Sequence, residues 1–105
     1  MTPPVAPCVS VYWHRELPPL DAQSIGEDEV EADSVRVPDT IAGREALWTR
    51  CEDDLMTKAR QRLVSEVDRL RGRCAHVVAE SIQARHDAAT GEAWLRGRFT
   101  YVWYR

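Results

Sequence analysis

No run of apolar residues in this sequence approaches the roughly 20 needed to cross a bilayer. The opening MTPPVAPC has neither the basic start nor the apolar stretch of a signal peptide, so the chain as written is expected to be cytoplasmic. A native chain with a leader upstream of Cys8 would place it in the envelope instead, although VAPC matches a lipoprotein cleavage box poorly. Cysteine is scarce: three residues, an odd number with no paired spacing, do not read as a disulfide framework, and no CxxC or HxxxH pair marks a zinc site. Positive charge is not in excess. A formal net charge of -3 offers no general attraction to nucleic acid or to anionic membranes. A Gly-rich phosphate loop and a nucleophile motif are both missing, and the acids come in runs rather than as a placed pair, so no enzyme is expected.

What is present suffices for one small domain spanning 1–105, with a Pro-rich segment at 1–7. At 44% hydrophobic and 30% charged residues the chain can bury a core. The stretch from Val9 to Leu17 alternates Val9, Val11 and Trp13 against Ser10, Tyr12 and His14, the period of a half-buried strand. Residues 21–39 carry seven acids and one arginine. Val30, Val35 and Val37 among them predict at best a weak strand on a solvated edge whose charges oppose further pairing.

A long helix is predicted from about Ile41 to Arg71, capped by Asp39 or Thr40 and stopped by a left-handed Gly72. Leu47, Cys51, Leu55, Ala59, Leu63, Val67 and Leu70 recur at spacings of four and three, one apolar stripe that must lie on a sheet. Acids crowd its first half and bases its second, as the helix dipole favours. Lys58, Arg62, Arg69 and Arg73 line one face, but Glu66 interrupts it and no aromatic side chains interleave to stack bases, so no nucleic-acid partner is expected.

Two further strands, Ala75 to Arg85 and Glu92 to Tyr104, are joined by a turn in which Gly91 supplies a positive φ. Matching small to large residues sets Ala75, Val77, Ala79 and Ser81 opposite Trp103, Tyr101, Phe99 and Gly97, with Glu80 opposite Arg98 on the other face. The fold class is therefore α+β: a single long helix packed on one face of a three- to four-stranded antiparallel sheet, in the order β(β)αββ. One helix covers one side of a sheet, which leaves Val78, Ile82, Trp94, Val102 and Tyr104 as an outer-face interface. Cys8, His14, Cys74 and His76 share that outer parity and form a conceivable Cys2His2 metal set, although they would have to converge from different strands.

Several stretches give the chain a resemblance to the RcsF/YbjQ-like superfamily, small bacterial domains that include envelope lipoproteins and a so-called heavy-metal-binding domain. VSVYWHRELPP resembles its first strand, SIGEDEVEA its IG-x-V strand, RLRGRCAHVVAE its helix end, and GEAWLRGRFTYV its closing G-x-A strand. The hairpin is also similar in shape to dodecin, a flavin-storage assembly, but RCAHVV stands where dodecin-like proteins carry the flavin-stacking Trp, so no cofactor is expected. The resemblance and the outer face together point to a non-enzymatic interaction or assembly domain, a homo-oligomer or a subunit of a protein partner. The alternative is an oligomeric small-ligand or metal binder.

Overall fold

The computed structural model describes residues 11–16 and 23–105. Its strands are β1 (Val11–Trp13), β2 (Ser24–Asp33), β3 (Val37–Pro38), β4 (Cys74–Asp87) and β5 (Glu92–Tyr104), with one helix, α1 (Arg44–Arg69), between β3 and β4. The fold is α+β, with α1 lying on one face of a five-stranded sheet ordered β1-β4-β5-β2, and β3 also paired to β5. The sheet is mixed rather than wholly antiparallel, because β1 runs parallel to β4 with Val11 beside Ala75 and Trp13 beside Val77. The N-terminal segment 1–7, the ends of the Val9–Leu17 stretch and Cys8 lie outside the described residues.

The predicted stripe makes the core. Cys51, Leu55, Ala59, Leu63 and Val67 are buried on α1 against Val30, Val77, Phe99 and Tyr101 of the sheet, and Trp13 meets Phe99 edge-on at 5.8 Å. Gly97 on β5 is required by this packing, since a Cβ there would stand 2.6 Å from the Phe99 ring and 3.2 Å from Leu55.

Both helix ends differ from expectation. Asp39 does not cap α1, because its carboxylate accepts from Arg44 at 3.3 Å and pairs with His86 at 2.9 Å. The Thr40 hydroxyl donates to the Ala42 carbonyl, and the helix starts only after Gly43, which has φ 70. At the other end Arg71, with φ 55, takes the left-handed position assigned to Gly72. Its N–H donates to the Asp68 carbonyl while the Gly72 N–H donates to Val67, which together satisfy the last helical carbonyls. Gly72 is small for a different reason: a Cβ would come within 3.2 Å of the Tyr104 carbonyl oxygen.

The acidic segment forms a stronger strand than its charge suggested. β2 pairs with β5 over its length, with Val30 and Ala32 facing the helix and Glu27, Glu29, Glu31 and Asp33 on the outer face. Arg96 and Arg98 stand directly opposite Asp33 and Glu31, so the carboxylates that oppose pairing on the open side favour it on the β5 side.

The hairpin register requires the main correction. Ala75 faces Trp103 and Val77 faces Tyr101 as expected, but a bulge at Val78 shifts every later pair by one. Ala79 therefore faces Thr100 rather than Phe99, Glu80 faces Phe99 rather than Arg98, and Ser81 faces Arg98 rather than Gly97. Phe99 remains fully buried on the helix side.

Candidate functional site

The outer sheet face is built mainly from the even positions of β5. Trp94, Val102 and Tyr104 lie on it, as expected from strand parity. Ile82 does not. Beyond the bulge it pairs with Gly97, and direct cross-strand partners share a face, so Ile82 lies on the helix side while remaining 43% exposed. Val78 is equally exposed, at the bulge itself.

Trp94 is also separated from the other two aromatic and apolar positions. Eight residues of strand put it about 27 Å from Val102, and Arg96 and Arg98 stand between. Arg96 grips Asp33 with two hydrogen bonds, at 2.8 and 3.2 Å, and Arg98 reaches Glu31 at 3.0 Å and Glu29 at 3.2 Å. The Arg96 hydrogen bonds hold the Asp33 carboxyl below its usual pKa, against an opposing effect of desolvation. The Arg36 guanidinium lies 4.0 Å above the Trp94 ring and also pairs with Asp87. The expected single apolar patch is thus two regions: a solvated ladder of ion pairs around Trp94, and an aromatic end where Tyr12, His76, Val102 and Tyr104 are all half-buried.

Of the metal candidates, Cys8 lies outside the described residues, and His14, Cys74 and His76 are near one another but otherwise engaged. The His76 ring nitrogen Nε2 lies 2.8 Å from the His14 carbonyl, and His14 Nε2 lies 3.4 Å from Glu80 Oε1. Cys74 is disulfide-bonded, which removes its thiolate from any ligand set, although the cysteine count and spacing did not read as a disulfide framework. Among the described residues Cys51 is the free thiol, buried in the core, where its S–H donates to the Val35 carbonyl at 3.5 Å. Among the described residues, no group of three or more His, Cys, Asp or Glu side chains is arranged to hold a metal ion.

A groove of about 550 Å³ runs between α1 and β2, lined by Ala32, Asp33, Lys58, Gln61, Arg62 and Ser65. Its charges are largely committed, Lys58 to Asp54 at 2.8 Å and Asp33 to Arg96. Asp54 does structural work as well, accepting the Val35 N–H at 2.6 Å; the Lys58 hydrogen bond is the main reason its pKa is lowered.

Reasoning from sequence missed the most open feature. β1 covers β4 only from Ala75 to Val77, and among the described residues no strand pairs with the other side of β4 from Ala79 to Asp87. A signal was available: the inward apolar residues of β4 change parity from Ala75 and Val77 to Ile82 and Ala84, as a bulge demands.

Comparison with protein-family models, with curated proteins and with solved structures finds no match to this chain. Among the described residues, no helix is long and apolar enough to cross a membrane.

Proposed function

We propose that this chain is a non-enzymatic interaction or assembly domain of the RcsF/YbjQ-like kind, acting by self-association or by docking a protein partner on the outer sheet face. The observation that carries the reading is the aromatic end of that face. Tyr12, Val102 and Tyr104 lie together on the side of the sheet away from α1, and none of the three is fully buried. Aromatic anchors of this kind commonly supply most of the free energy of an interface. The ladder of Arg96, Arg98, Glu31 and Asp33 beside them supplies a charged rim, which sets register and partner choice more than affinity.

Tyr104→Arg tests this reading. Capture of a protein partner identified by its mass is expected for the wild-type chain and is expected to be lost in the variant, with little change in the melting curve. A partner complex indifferent to Tyr104→Arg would contradict docking on this face. A stoichiometric metal or chromophore, found by elemental analysis and absorbance, would replace the reading with a ligand-binding one.

A further inference from the structure

Among the described residues the sheet has two long open edges, and they differ in chemistry. On β2 the outer row is Glu27, Glu29, Glu31 and Asp33. A two-fold antiparallel pairing keeps each face on its own side, so two β2 edges would set this row of carboxylates against its own copy, with Glu29 facing Glu29. Like charges directly opposite are destabilising, and such a row is one of the ways sheet edges avoid one another.

The β4 edge from Ala79 to Asp87 has no such protection. It contains no proline or lysine, its backbone is unpaired on the outer side among the described residues, and Ile82 stands 43% exposed near its middle. A two-fold pairing centred on Ile82 sets that residue opposite itself. Glu80 then faces Ala84 of the second copy, Ser81 faces Gln83, and Ala79 faces Arg85, so no like charges are opposed. Glu80 also lies diagonal to His86 of the second copy, within reach of a long side chain.

We propose that the β4 edge is the contact between two copies of this chain, joined antiparallel about Ile82 into one continuous sheet. This builds on the reading of an assembly domain by naming a second copy as a partner, but it does not use the outer face.

The test is sedimentation velocity on the full chain as wild type, Ile82→Lys and Tyr104→Arg, with oxidative crosslinking of Ile82→Cys. Wild type is expected to dimerise. Ile82→Lys should weaken association by about tenfold or more, as like charges set in opposition require, with its monomer melting unchanged because Ile82 is exposed. Ile82→Cys should give a covalent dimer, since Cys51 is buried and Cys74 already bonded. A wild type that stays monomeric overturns the proposal, while docking of a different protein remains testable through Tyr104. A dimer lost in Tyr104→Arg but kept in Ile82→Lys also overturns it, in favour of the outer face. If both variants dissociate, the crosslink decides: failure to trap the Ile82→Cys dimer overturns the proposal.

Discussion

Cys51 and Asp54 show how single side chains on α1 hold the loop between β2 and β3. The Cys51 thiol reaches the Val35 carbonyl and the Asp54 carboxylate takes the Val35 N–H, so one helical turn satisfies both backbone groups of one residue. Cys51→Ala removes buried volume and a weak donor and is expected to cost on the order of 1 kcal/mol by thermal or denaturant unfolding. Cys51→Asp should cost several times as much, because it buries a carboxylate beneath the sheet. Asp54 also gives a pH test. Its pKa is lowered in the folded chain, so its contribution is present above the unfolded carboxylate value of about 3.9 and is lost as pH falls through the lower folded value. The stability gap between wild type and Asp54→Asn is therefore expected to hold near neutrality and to close in acid. Tyr101 behaves oppositely. Among the described residues its hydroxyl is buried without a hydrogen-bond partner, and burial raises its pKa, with the nearby Glu66 carboxylate adding to the shift. Tyr101→Phe should be neutral or stabilising by up to about 1 kcal/mol, since no bond is lost and an unsatisfied group is removed. A large loss of stability would show that the hydroxyl has a partner.

At the scale of elements, much of this architecture was legible. The stripe from Cys51 to Val67, the β4–β5 hairpin and the positive φ of Gly91 all follow from periodicity and turn chemistry, which are local properties. What was not legible depends on neighbours distant in sequence. The strength of β2 comes from Arg96 and Arg98, more than 60 residues away along the chain. The late start of α1 follows from the use of Asp39 by His86 across 47 residues. The Val78 bulge was legible in part, as a change of parity, but two adjacent valines can each be read as the inward one. The helix stop offers a test. Arg71 adopts a left-handed conformation that costs a side chain roughly 1 kcal/mol relative to glycine, so Arg71→Gly should stabilise the chain by about that amount. Gly72→Ala should destabilise it, because the Tyr104 carbonyl and the Trp103 ring leave little room for a methyl group.

The whole molecule is a long hairpin of which one part carries the helix and core and another is exposed on β4 from Val78 to His86. An extended edge of this kind is an aggregation hazard unless something covers it, and the β2 edge shows that the same chain can block an edge with charge. The contrast between the two edges favours β4 as the one that meets a second copy. The outer face, with its ion-pair ladder and aromatic end, is left for docking. Pairing of two β4 edges can be read from amide hydrogen exchange, residue by residue, as a function of protein concentration. Those amides between Ala79 and Asp87 that point away from β5 are expected to slow as concentration rises, while those of the Ala88–Gly91 turn stay fast throughout. Exchange of those outward amides that is unchanged at every concentration would contradict it.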